Sequence, residues 1–437
     1  MMKKRRFVFI TLLLFSFSLI GALTACSAGT SDVAVGELKY TLAEDGYTYT
    51  VTGIGTFKGK HVTIESEYNG KPVTEIGDYA FKNCSFESIT IPNGVKRIGE
   101  GAFEAHQGLY SVVIPDSVTE IGEKAFCSAF RLVSVVGLGG VTRIEAETFA
   151  GCRLLKSATI WGEVTSIGSG AFKDCPKLAL VTVPDTVKEI GASAFSNCQS
   201  LTCINIPEGV TSIAASTFAN CKSLTSVTLP ATVTTIGESA FYACENLMFV
   251  NIPEGVTGIE KYTFMKCKSL KSLSFPEGIT HIEEHAFIGC LSLESLSFPS
   301  TMTSLGQVYG GEWIAYPLLT SITVAEGNPA YRGVGNCLIE TESRTLLLGC
   351  KGSVIPKDGS VVIIGRYAFA WRHGLTEIEI PTTVRWLESG AFYYCTDLAS
   401  IIYDWTGNGW KEISKGADWD EGIGTCTIYC TDGEITK

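Results

Sequence analysis

Two groups of residues in this 437-residue chain have types and spacings suited to chemistry. The first is His281-Ile-Glu-Glu-His285, which matches the H-x-x-E-H arrangement of one class of zinc proteases. That chemistry needs both imidazoles and a glutamate on one face of a helix. Two units earlier in the chain the same five positions read Thr-Ile-Gly-Glu-Ser, at 235–239, where they lead from a short strand into a bend. A zinc hydrolase is therefore the least supported reading, because the helical context is missing. Neither G-x-S-x-G nor a P-loop occurs, and the other three histidines are scattered. The chain reads as a non-enzyme, with no catalytic residue, no metal ligand and no cofactor.

The second group is the cysteines, sixteen in all. Nine of them, Cys84, Cys152, Cys175, Cys198, Cys221, Cys244, Cys267, Cys290 and Cys395, stand three residues after a recurring phenylalanine. Stacked repeats would bring such residues into columns about 4.8 Å apart. Side chains held parallel at that spacing neither reach the Cβ separation a disulfide requires nor converge on a metal. Buried free thiols acting as small hydrophobes are expected instead. Cys337 with Cys350, and Cys426 with Cys430, are the pairs to test as disulfides.

One cysteine has a different setting. Lys3, Lys4, Arg5 and Arg6 precede an uncharged apolar stretch over 7–22, which ends in Leu23-Thr24-Ala25-Cys26 and then turns small and polar. The layout is that of a secretory signal peptide, and the stretch is short for a membrane span. The Leu-x-Ala-Cys ending resembles the lipobox of bacterial lipoproteins. That resemblance implies cleavage before Cys26, acylation of Cys26 as the lipid attachment site, and a location on the outer side of a bacterial membrane. Loss of the four basic residues takes the net charge from −11 to −15.

The elements that must position these residues follow from a repeat. Phenylalanine recurs at 81, 103, 126, 149, 172, 195, 218, 241, 264 and 287, and again at 369 and 392, at a spacing of 22 once and 23 thereafter within each run. Ile or Leu lies five residues before each Phe, and Val or Ile eight before it. In a unit such as Leu224-Thr-Ser-Val-Thr-Leu-Pro230, Val227 and Leu229 share one face of a strand, with Ser226 and Thr228 on the other. Pro230 ends that strand, Val233 and Ile236 point inward on the return side, and a helical or 3₁₀ turn carries Phe241 as a plug. One unit cannot bury its own apolar face, whereas stacked units can. Thirteen strand openings between 86 and 398 predict about thirteen coils and a parallel sheet on the order of 60 Å long.

This pattern resembles the leucine-rich repeats of the BspA-like surface-protein family, over residues 38–433. The resemblance implies a leucine-rich-repeat solenoid, mainly β, with short helical or 3₁₀ turns. It gives the boundaries 1–25 signal peptide, 26–37 tether, 38–72 N-terminal cap, 73–400 repeat array and 401–437 C-terminal cap. An irregular insertion is expected near 303–360, because Phe287 and Phe369 are 82 residues apart where three periods take 69. A hairpin is expected at 337–350.

Composition narrows the function. Hydrophobic residues make up 45% of the chain and charged ones only 18%, which excludes a disordered chain. Acidic residues outnumber basic ones by 45 to 34 and no basic run lies beyond the N-terminus, so nucleic acid is not an expected partner. The outward strand positions form a nearly uncharged hydroxyl ribbon on the expected concave face. Its candidate ligand-binding residues are Leu180, Asn205, Ser226, Thr228, Phe249, Asn251, Glu377 and Glu379. Six of the seven tryptophans fall in the last third, as cap or recognition patch. With the family resemblance, these features imply an adhesin-like, membrane-anchored monomer that binds an extracellular or host protein or a glycan. The alternative is a structural or scaffolding envelope protein without a dedicated ligand.

Overall fold

In the computed structural model, residues 36–160, 162–306 and 316–436 are described. The expected signal peptide, Cys26, nearly all of the expected tether and the segment 307–315 lie outside the described residues.

Each repeat makes one coil with three sides. The first side is a short ribbon strand, such as Ser157–Thr159, whose central residue Ala158 is buried while its neighbours face outward. After the proline the chain turns, and the Pro230 carbonyl accepts from the Val233 N–H at 3.1 Å, a closure repeated at 115/118, 184/187, 207/210 and 253/256. A two-residue return strand, such as Thr235–Ile236, follows. Both sides stack in parallel at the repeat spacing. On the ribbon Ser134 pairs with Ser157 and Ser157 with Leu180, and on the return side Arg143 pairs with Ser166 and Ser166 with Glu189. Among the described residues the solenoid has about 16 turns. The thirteen expected openings are exceeded partly because the ends join the stack: His61–Thr63 pairs in parallel with Ser88–Thr90, and Thr427–Cys430 with Ser400–Tyr403.

The third side differs from the helical or 3₁₀ turn expected for it. Two residues flanking each repeat Phe adopt left-handed backbone: Ser216 (φ 56°) and Asn220 (φ 60°) around Phe218, and Ser239 (φ 56°) and Ala243 (φ 54°) around Phe241. N–H groups alternate in direction as a result. Those of Ser216, Phe218 and Asn220 reach the next coil's carbonyls at Glu238, Ala240 and Tyr242, while those of Ala219 and Cys221 close their own turn. A continuous helix points its N–H groups along its own axis and offers no such ladder to a neighbour. Gly237, at the corner, is required by contact, since a Cβ there would lie 2.7 Å from the Ala215 nitrogen. Among the described residues the one α-helix is Gly407–Glu412, in the C-terminal cap.

Inside, the repeat phenylalanines form a stack. From Phe81 to Phe287 consecutive rings lie 4.9–5.9 Å apart, most of them nearly parallel. The stack resumes with Phe369 and Phe392 at 5.2 Å. Between them the expected hairpin occurs, Cys337–Glu340 antiparallel to Thr345–Gly349, with Tyr331–Val334 added outside it. This insertion divides the interior into two clusters, one ending at Leu347, Leu348 and Cys350, the other running from Cys337 and Ile339 to Ile428.

Candidate functional site

The cysteine column is structural. Cys152, Cys175, Cys198, Cys221, Cys244, Cys267, Cys290 and Cys395 are buried, and each thiol donates to the carbonyl of the preceding coil's repeat Phe at 2.9–3.2 Å. Each such carbonyl also accepts the N–H of its own turn, as Phe195 does from Cys198, so the thiol supplies a second donor. Burial pushes Cys221 and Cys290 up to about 12 and Cys395 to about 11, far from thiolate chemistry. Cys337, Cys350 and Cys430 are also free thiols, so neither candidate pair is bridged.

Three residues break this column, Ala129, His106 and Arg372, and two of them are polar. His106 and Arg372 occupy the position three after the repeat Phe, and both are buried. His106 accepts the N–H groups of Gly108 and Leu109 on Nδ1, at 3.2 and 3.0 Å, and burial lowers its pKa to about 4. Arg372 donates to the Gly349 and Ala370 carbonyls at 2.7 and 2.9 Å and lies 5.8 Å from the Tyr316 ring. It sits at the seam between the two core clusters.

The His281/His285 pair does not converge. His281 is on the return strand His281–Ile282 and its ring lies over Gly258, where an added Cβ would be 2.1 Å from it. His285 occupies a left-handed turn position and stacks on Tyr262 at 5.6 Å. Both rings lean on the previous coil, and among the described residues no group of three ligating side chains could hold a metal.

The ribbon carries the remaining candidates. Register places Ser111, Ser134, Ser157 and Leu180 in one outward column, and Ser226 and Phe249 in the same position further along. Leu180 is 54% and Phe249 53% exposed, with Met248, 50% exposed, beside Phe249. Ser226, Thr228, Asn205 and Glu377 are also exposed. Asn251 is not available to a ligand in the same way. Its side-chain amide accepts from the Leu229 N–H at 2.7 Å and donates to the Leu229 carbonyl at 2.8 Å, standing in for a ladder pair. Glu379 is tied to Lys357 by an ion pair, and Glu377 accepts from Ser400 at 3.0 Å.

Cys203 and a second apolar patch were not singled out in the sequence. Cys203 follows Leu180 by one repeat and is exposed, and Tyr110, Val113 and Val136 are exposed on two adjacent coils. Writing the repeats in register exposes Cys203, Val113 and Val136, since their columns hold mostly Ser, Thr or Asn elsewhere. Trp410 fills the cap, whereas Trp386 and Trp405 are exposed and Trp371 stacks on Tyr394 at 4.5 Å.

The sequence pattern described as the BspA type leucine rich repeat region matches residues 74–202, 188–309 and 349–417, with six copies. A leucine-rich repeat protein from Bacteroides ovatus ATCC 8483 is 24% identical, with a TM-score of 0.62 and coverage of 90% of this chain and 92% of that one. A leucine rich cell surface protein from Faecalibacterium prausnitzii A2-165 is 29% identical, with a TM-score of 0.42, over 68% of this chain and 96% of its own. The pneumococcal vaccine antigen PcpA is 18% identical, with a TM-score of 0.44, over 90% and 98%. Among curated proteins none matches.

Proposed function

Because the chain belongs to the BspA-type leucine-rich-repeat family, we propose that it is a lipid-anchored protein of the bacterial cell surface that binds an extracellular protein or glycan through its strand ribbon. The observation that carries this reading is the pair Leu180 and Phe249, more than half exposed within a repeat column that, Cys203 and Glu377 apart, is lined by serines. Nothing in the framework asks for an apolar side chain there, since Ser serves the same register position in Ser134, Ser157 and Ser226. Exposed apolar groups set among small hydroxyls suit a sugar face or an extended chain, with the hydroxyls supplying adaptable hydrogen bonds. Acylated Cys26 would hold the protein at the membrane and the repeat array outside it. More than one acyl chain gives durable attachment, whereas one does not. No catalytic residue is assigned.

The test is a glycan and matrix-protein array probed with the soluble chain beginning after Cys26, alongside the variant Leu180→Ser/Phe249→Ser. Binding by the parent and its loss in the folded variant is expected. A parent that binds nothing above background leaves the scaffolding reading in place, and a variant that binds equally well moves the site off the ribbon.

A further inference from the structure

The two ends of the ribbon are finished differently. At the C-terminal end, Gly433–Thr436 folds back antiparallel on Thr427–Cys430 and ends the parallel ladder. At the N-terminal end the cap sheet, Lys39–Leu42 with Tyr49–Gly53 and Lys71–Ile76, continues into the return ladder through Arg97–Ile98. Among the described residues, the first ribbon strand, His61–Thr63, pairs only with Ser88–Thr90. On that paired side the Lys60 carbonyl accepts from Glu87 at 2.6 Å and the Ile64 N–H donates to Thr90 at 3.1 Å. Main-chain groups alternate sides along a strand, so Val62 faces Ile89 as well. The N–H and C=O of His61 and of Thr63 therefore point to the open edge.

That edge opens into a groove of about 380 Å³ bounded by the chain near Gly36 and Glu37 on its far side. Tyr40 and Tyr68 stack face to face at 4.2 Å along one wall, and Phe57 forms another. Glu37 and Glu65 line the same groove and are exposed. We infer that this groove docks an extended, basic peptide segment of a partner protein, which adds to the ribbon as its outermost strand. Donors and acceptors at strand spacing are matched along a peptide and are not matched by a sugar chain. A Lys or Arg on the added strand would place its cation between the Glu37 and Glu65 carboxylates and against the tyrosine rings. An unpaired strand edge left on a soluble surface is a template for such pairing. This site lies apart from Leu180 and Phe249, so either can fail without the other.

The experiment uses the intact chain in detergent micelles and fluorescein-labelled nonapeptides of alternating Thr and Val with two central Arg, read by fluorescence anisotropy. The basic peptide is expected to bind, and more weakly as salt rises. The isosteric variant Glu37→Gln/Glu65→Gln, with thermal unfolding like the parent's, is expected to weaken binding about tenfold. N-methylation of alternate peptide amides on one edge should abolish binding, while methylation of the other set leaves it intact. Equal binding of a peptide with two central Glu, indifference to methylation of both sets, or no binding at all would overturn the inference. So would an equal loss in Leu180→Ser/Phe249→Ser.

Discussion

Phe218→Ala probes what holds the coils in register. Phe218 is fully buried, 5.8 Å from the Phe195 ring at 2° and 5.6 Å from the Phe241 ring at 17°. Truncating a buried Phe costs about 3–5 kcal/mol through lost transfer and the cavity left behind. Two ring neighbours, each contributing about 0.5–1.5 kcal/mol beyond area, place this site toward the upper end of that range. The cavity cannot close easily, because the backbone on either side is fixed by bonds from Phe218 to Ala240 and from Phe195 to Thr217, at 2.9 and 3.0 Å. Phe218→Leu keeps much of the volume and loses both stacks, so it should cost about 1–2 kcal/mol. Urea unfolding followed by far-ultraviolet circular dichroism measures the totals. Hydrogen exchange then locates the loss, because a stacked array transmits a defect mainly to its neighbours. Protection should fall over coils 195–241 and hold around Phe369 and Phe392, which belong to the other core cluster. A cost below about 1 kcal/mol for the alanine variant, or an even loss across both clusters, would refute the reasoning.

His106 predicts a pH dependence. Its folded pKa of about 4 lies below the ordinary value of 6.5, so both states are neutral above pH 6.5, and as pH falls the unfolded chain takes the proton first. Stability should decline between pH 6.5 and 4 by about 3 kcal/mol, and urea titrations of His106→Cys should lack that slope whatever its baseline. Native thiol labelling read by mass spectrometry should modify Cys203 first, and the buried column only after denaturation. Cys26→Ser should end incorporation of labelled fatty acid; a variant still labelled would remove the lipid anchor from the proposed function.

The sequence made the fold legible because one period fixes many contacts at once. A Phe every 23 residues can occupy an interior column only if each coil repeats its neighbour, and the rings do stack. The turn was less legible. Small polar residues such as Ser216 and Asn220 fit a helix terminus as well as left-handed backbone, and only the neighbouring coil's carbonyls decide between them. Eight of the nine column cysteines are buried thiols as expected, Cys84 being half-buried, but their role as donors to Phe carbonyls depends on a neighbour 26 residues away. Asn251 misled for the same reason. Its column is outward by parity, yet its amide is taken by the Leu229 main chain.

That contrast bears on where binding can evolve in such a chain. Inward positions are constrained twice, by packing and by pairing to the next coil, and even the residues that depart from the pattern meet local demands. His106 accepts two main-chain N–H groups and Arg372 satisfies carbonyls at the seam. Outward ribbon positions in the column of Ser134 and Ser157 carry no such demand, since Leu180 and Phe249 occupy it as well, whereas Asn251 in the neighbouring column is held by the Leu229 main chain. Exposed apolar side chains cost little stability there and contribute nothing to the stack, so under the proposed function the departures Leu180, Cys203, Met248 and Phe249 are the positions to test for ligand contact. Substituting them should change binding while leaving unfolding within about 0.5 kcal/mol of the parent, the range of ordinary surface changes. If Phe249→Ser instead unfolds the array, the ribbon is part of the framework and the separation of framework from recognition surface fails.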